Sequence, residues 1–320
     1  MLTAKDVGGL MAMMPAFATD NANDIRARNT VDLGRLHAGV DRMVRDGVNV
    51  ISTTGSFGEC HALLHDEFTV IAHETASVVK QRCPLFIGVT APNARETVER
   101  MKVVAETKAD GVLVGIPYYF PSTQENALRF IKDIAAEFPK LNILLYHNPA
   151  LHNVTLRVEL FDEFAKIPQI VGMKDSHRDT LTLMKLIEKT RNKMSIMVSQ
   201  YQYYPNCLLG VPGFWSIDSW MGPWPFLALR DAVARGDFEA AKAITLDLAP
   251  KGTRKIDLSW RETASKIAIR HAGYVDPGPL RAPFLEIPAD VAERAAATAK
   301  RWKEVCEKYR PMVEKARKVA

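Results

Sequence analysis

Eight short β-rich runs recur along the chain with helical-length segments between them, and this rhythm constrains the fold more than any other feature. In order they read LMAMMPAF, NVISTTG, PLFIGVT, GVLVGIP, NILLYHN, IVGMKDS, SIMVSQ and GFWSI. Apolar residues recur at three- and four-residue spacing over 31–46, 66–82, 94–108, 123–138 and 157–166, the helical period. Thr30 with Asp32, and Ser122 with Glu125, supply helix-start signals. Strands alternating with helices predict βαβ units around a parallel sheet. Eight units over residues 1–236 predict an α/β fold, a (β/α)8 TIM barrel, with an additional C-terminal helical segment, 237–320, packed on it as one structural unit. That segment shows helical stretches at 237–249, 259–272 and 289–318. A doubly wound sheet is the alternative, but no G-x-G-x-x-G turn follows the first run.

Composition narrows the function classes. With 47% hydrophobic and 25% charged residues the chain is ordinary for a globular protein. It holds no apolar run of membrane-spanning length and no cleavage-site pattern behind an N-terminal apolar stretch, so no membrane partner and a cytoplasmic location are expected. The 42 basic and 37 acidic residues are interspersed, which argues against nucleic acid and leans toward a small anionic substrate. Cys60, Cys83, Cys207 and Cys306 are scattered with no C-x-x-C pair, so free thiols are expected rather than a zinc or redox motif.

Chemistry in such barrels sits at the C-terminal strand ends, here Thr53–Gly58, Tyr118 and Tyr119, Tyr146–Pro149, Lys174–Ser176, Ser199–Tyr201 and Trp215–Asp218. Side chains two apart on a strand share a face. With Val171 and Met173 assigned to the helices, Gly172 and Lys174 point inward. With Ile143, Leu145 and His147 outward, Tyr146 and Asn148 share the interior with Lys174. An amine among apolar walls loses hydration, its pKa falls, and it becomes able to attack a ketone and form an imine. The alternative is a structural ion pair with Asp175, Glu59 or a neighbouring carboxylate. The Gly-flanked turn at 55–59 exposes backbone N–H groups and the Ser56 hydroxyl, a nest for an α-keto acid carboxylate, or simply a tight βα connection.

Taken together, GSFGEC (55–60), PYY (117–119), LLYHNP (144–149), GMKDS (172–176) and the later GPLRAP segment resemble the dihydrodipicolinate synthase and N-acetylneuraminate lyase superfamily of pyruvate-dependent class I aldolases. The resemblance runs over about residues 10–285. It implies a TIM barrel with Lys174 as Schiff-base former, Tyr146 as proton relay and the turn from Gly55 to Glu59 holding a pyruvate carboxylate. It also implies no metal and no organic cofactor, and a homotetramer. PYY is closer to the synthase branch, where the second tyrosine projects toward a neighbouring subunit. Phe57 stands where the synthases carry a second threonine, and NPALHNVT (148–155) lacks their arginine. These departures, with FGEC, Tyr-x-Asn-Pro and FWS, more closely resemble the hydratase-aldolases that cleave benzylidenepyruvates in aromatic hydrocarbon breakdown.

Asn148 would then position water, and Phe57, Tyr119 and Trp215 would offer flat surface to an aromatic α-keto acid that yields pyruvate. Three rivals remain: a dihydrodipicolinate synthase or sugar-acid aldolase, a metal-dependent lyase using His147, His152 and His177, and a non-catalytic ligand-binding barrel. The stretch SQYQYYPN (199–206) matches no pattern and carries no assigned role.

Overall fold

The computed structural model describes residues 1–175, 178–249, 257–284 and 286–319. Ser176, which closes the sixth run, and His177 lie outside the described residues. Among those described, eight parallel strands close into a barrel in sequence order: β1 (Gly9–Met13), β2 (Val50–Ser52), β3 (Leu85–Gly88), β4 (Gly111–Val114), β5 (Asn142–Tyr146), β6 (Ile170–Lys174), β7 (Ser195–Ser199) and β8 (Gly213–Ser216). β8 returns to pair with β1, Met11 opposite Trp215. Each strand lies within one of the eight runs or starts one residue before it.

The first helices are α1 (Leu33–Arg45), α2 (His65–Val79), α3 (Ala94–Ala105) and α4 (Gln124–Glu137). Asp32, Asn93 and Thr123 begin α1, α3 and α4 by accepting the N–H three residues on. Thr123 therefore caps α4 in place of the neighbouring Ser122, and Thr30 is buried in a polar cluster instead of opening a helix. After β5 comes a single turn, α5 (Pro149–His152), and the helix expected over 157–166 is a 3-10 turn followed by the short α6 (Phe161–Phe164). The remainder are α7 (Thr180–Thr190), α8 (Tyr203–Cys207), α9 (Trp224–Ala234), α10 (Phe238–Leu248), α11 (Leu258–Ala272) and α12 (Ala289–Val319). α12 lies along α9, where Trp302 meets Phe226 at 5.3 Å between ring centroids and donates through Nε1 to Gly222 O at 3.1 Å. No helix among the described residues is long and apolar enough to cross a membrane.

Alternation divides the apolar residues into two cores. Leu10, Ile51, Ile87, Val112, Leu145 and Phe214 face the helices, while Met11, Met13, Val50, Phe86, Leu113, Leu144 and Met197 fill the barrel. Strand β6 departs from simple alternation. Ile143 pairs with Ile170 but Leu144 with Gly172, so Val171 is the extra residue of a bulge. Val171 consequently points into the barrel, opposite to the sequence expectation, and the register recovers so that Met173 faces the helices. Tyr146 is left opposite Lys174 across the ladder.

Candidate active site

The bulge places Lys174 as the last residue of β6, inside the barrel mouth and buried. Its Nζ lies 3.6 Å from the Trp215 ring centroid on β8 and 4.5 Å from that of Tyr146 on β5. Among the described residues the amine takes part in no ion pair. Both carboxylates weighed as partners are engaged elsewhere: Asp175 with His147 and Arg178, Glu59 with Lys266 and Arg281. Burial pulls the Lys174 pKa down to about 7, opposed by the neighbouring Asp175 charge. The amine therefore gives up its proton far more readily than an ordinary lysine does.

The Tyr146 hydroxyl sits 2.7 Å from Ser56 Oγ and accepts a bond from Asn148 Nδ2 at 3.1 Å. Burial raises the phenol's pKa while both hydrogen bonds oppose the rise. A protonated phenol linked to a hydroxyl and an amide can pass a proton without holding a charge. Asn148 reaches Tyr146 because the two share a face and α5 starts immediately after it.

Ser56 comes from the turn that follows β2. Gly58 is required there, since a Cβ would stand 2.6 Å from the Thr54 backbone nitrogen. Cys60 N–H bonds back to Gly55 O at 3.3 Å, and the turn leaves the Ser56 and Phe57 N–H groups without an acceptor among the described residues. Gly55 packs beside Met13 and Tyr146. The buried Glu59 anchors the turn from below: it is ion-paired with Lys266 of α11 and accepts the Arg281 N–H at 3.0 Å. The Arg281 guanidinium also donates to Thr30 Oγ1 at 2.7 Å and Thr30 O at 2.9 Å.

A cavity of about 380 Å³ opens above Ser56 and Tyr146. Its wall includes Tyr118 and His152 from the barrel loops, Arg261, Glu262 and Thr263 from α11, and Leu280 and Phe284 beyond it. Lys174 is not among the residues that line this cavity; its amine lies against the ring of Tyr146, which is, and against that of Trp215. The structure thus brings Lys174, Tyr146, Asn148, Ser56, Gly55 and Trp215 together.

Two residues expected there are elsewhere. Phe57 falls in the hydrogen-bonded turn after β2, off the strand's alternation, and is 2% exposed in the core between barrel and helices. Tyr119 is 74% exposed and packs edge-to-face on Phe120 at the surface, because it is Tyr118 that the chain directs into the cavity. Of the histidines weighed as metal ligands, His147 is buried on the outer face, 2.8 Å from Asp175, and His152 stands edge-on to the Tyr146 ring at 4.7 Å. His177 lies outside the described residues, and no metal-binding cluster is present among those described.

Sequence reasoning missed the α11 contribution. Nothing in the local pattern of 259–263 marks it, and only the return of the chain over the mouth brings it there. It also gave no role to 199–206, where the side chains form a network: Gln200 Nε2 donates to Asp218 at 2.5 Å, Tyr201 Oη to the same carboxylate at 3.1 Å, and Ser216 Oγ to Gln200 Oε1 at 2.5 Å.

A closed eight-stranded barrel whose C-terminal mouth holds a phenol and an amine with no ion-pair partner among the described residues fits the barrel lyases. It belongs to the dihydrodipicolinate synthetase family, whose model matches residues 14–301. It is 30% identical to the trans-O-hydroxybenzylidenepyruvate hydratase-aldolase of Pseudomonas putida, over 96% of each chain. It is 27% identical to the trans-2'-carboxybenzalpyruvate hydratase-aldolase of a Nocardioides species, again over 96% of each. The structure of PhdJ bound to a substrate intermediate superposes with a TM-score of 0.90 at 27% identity, covering 96% of this chain and 99% of that one.

Proposed function

We propose that this lyase is a Schiff-base hydratase-aldolase that cleaves a substituted benzylidenepyruvate to an aromatic aldehyde and pyruvate. The observation that carries the reading is the Lys174 amine, buried between the Tyr146 and Trp215 rings with no counter-ion among the described residues and a pKa of about 7. The mixed character of the cavity adds support. Ser56 and the unpaired N–H groups of its turn suit the keto acid carboxylate, and Tyr118, Leu280 and Phe284 suit a ring.

The steps balance as follows. Neutral Lys174 adds to the keto carbon and water leaves, giving a protonated imine conjugated with the alkene. Water held by Asn148 adds at the benzylic carbon, losing its proton to the Tyr146–Ser56 pair as the electron pair moves toward the imine nitrogen. The enamine takes a proton at carbon. Removal of the benzylic hydroxyl proton then breaks the carbon–carbon bond and releases the aldehyde, leaving a pyruvate enamine. Protonation and hydrolysis by a second water free pyruvate and restore the amine. Overall one water is consumed, the imine serves as the electron sink, and the reaction calls for neither metal nor organic cofactor.

Incubation with pyruvate followed by borohydride tests the reading. The expected product is a stable adduct mapped to the peptide containing Lys174 and lost in Lys174→Ala; an adduct that survives in the variant refutes the assignment. Turnover of hydroxy- and carboxy-benzylidenepyruvates against aspartate semialdehyde and sugar acids then fixes the substrate class. A cytoplasmic homotetramer completes the proposal, with the exposed Tyr119–Phe120 pair as a subunit contact to be checked by light scattering.

A further inference from the structure

We propose that Asp175, Arg178 and His147 form a buried positioning cluster that turns the carboxylate next to Lys174 outward and offsets part of its charge, which limits its pull on the amine and keeps the Trp215 indole over it. This rests on the Schiff-base reading of Lys174.

A carboxylate one residue from a reactive amine would ordinarily be a liability, because it favours the ammonium form. Strand alternation sends Lys174 inward and Asp175 toward the helices, and what Asp175 meets there is built. Its Oδ1 lies 2.8 Å from His147 Nδ1, and both side chains are 2% exposed. The His147 tautomer follows from its other nitrogen. Nε2 accepts the Leu156 N–H at 3.2 Å, so the proton sits on Nδ1 and is donated to Asp175. Arg178, 5% exposed, brings Nε to 2.7 Å from Asp175 Oδ2, a charge contact without hydrogen-bond alignment. Arg178 Nη2 then donates to Leu156 O at 2.7 Å. The ring Asp175–His147–Leu156–Arg178 is thereby closed, with the two backbone groups of Leu156 setting both side chains.

The same aspartate acts on the site through its main chain. Asp175 O accepts the Trp215 Nε1 hydrogen at 3.0 Å, and the Trp215 ring is the nearer of the two on Lys174. One residue therefore orients the indole with its carbonyl while its carboxylate is held on the outer face. Among the described residues, the other groups that act on the amine are the neutral Tyr146 from β5 and, from α11, Arg261 and Glu262, which are paired with each other at 2.8 Å and act in opposite directions. After burial, Asp175 exerts the largest influence on the lysine, in the direction of holding its proton.

The readout is the pH midpoint of borohydride trapping with pyruvate, measured on full-length protein. Arg178→Gln removes the guanidinium that offsets part of the Asp175 charge and is expected to move the midpoint up by about one unit, while Arg178→Lys keeps it near wild type. Asp175→Asn removes the charge and is expected to move it down, with trapping below neutral pH increased several-fold. A merely structural role would lower thermal stability in each variant without moving the midpoints in opposite directions. Unmoved midpoints, or shifts of the same sign, overturn the inference. Should Arg178→Gln not fold, the near-isosteric Asp175→Asn still decides, since a midpoint at or above wild type refutes the proposal. No adduct at any pH in the wild type would instead remove the Schiff-base reading itself.

Discussion

Two buried lysines of this chain, Lys174 and Lys266, are equally hidden and differently used. Lys266, on α11, makes an ion pair with Glu59 and donates to Pro279 O at 2.8 Å. Lys174, on β6, faces the Trp215 and Tyr146 rings and takes part in no ion pair among the described residues. Burial pushes both pKa values down, but only at Lys266 does an adjacent hydrogen-bonded carboxylate oppose it. The paired lysine ties the site's turn to α11 and the 279–281 segment, whereas Lys174 has no carboxylate partner among the described residues and holds its amine against two rings. On the proposed function, an identical side chain serves as a structural strut or a nucleophile according to whether a carboxylate accompanies it into the low-dielectric interior.

Exchanging each lysine for methionine breaks the comparison most sharply. Lys174→Met is expected to lower turnover by about four orders of magnitude or more and yet to raise the melting temperature. Lys266→Met leaves the Glu59 carboxylate short of a partner and is expected to cost about 3 kcal/mol of stability by denaturant titration, with borohydride trapping of pyruvate retained. Loss of trapping in a folded Lys266→Met protein would contradict the division of roles.

Next in size is the phenol. Tyr146→Phe keeps the ring against Lys174 but removes the proton carrier, and is expected to slow turnover about 100-fold. The pyruvate adduct should still form. Rates within a factor of two of wild type would exclude the relay.

The pH dependence of stability sharpens the comparison further. The Lys174 pKa is lowered from 10.5 to about 7, so between those values the unfolded chain binds the proton that the folded chain has released. This group's contribution to folding is unfavourable at and below neutral pH, where it costs most, and the penalty fades as pH rises toward 10.5. Thermal melts between pH 7 and 10 are expected to show Lys174→Met losing its stability advantage over wild type as pH rises. A constant difference across that range would mean that the amine is charged in the folded state. The smallest effect is reserved for the surface: Tyr119→Ser is expected to leave kcat on a benzylidenepyruvate within about two-fold and to act on subunit association by light scattering.

Much of the fold was legible because the parallel barrel writes itself as apolar runs, and each of the eight contains nearly all of an observed strand. The inward direction of Lys174 and Tyr146 was legible for a similar reason, since alternation is local. Val171 was misread because a bulge inserts a residue that only the β5 pairing reveals. Phe57 was misread because the turn after β2 does not keep the period of the strand before it. Tyr119 was taken for its neighbour Tyr118, as two adjacent tyrosines in a loop carry no signal of which one faces the cavity.

The sequence by itself determined the barrel, the strand that carries the amine and the phenol one strand away, because these follow from hydrophobic period and chain order. Whether each lysine would meet a carboxylate was left to long-range contacts. That choice depends on Glu59 joining a helix about 200 residues further on, and on Asp175 turning toward His147 and Arg178. Such encounters are set by the three-dimensional closure of the barrel and the return of α11 over its mouth, and the electrostatics of a buried amine depends on distances that no local pattern encodes.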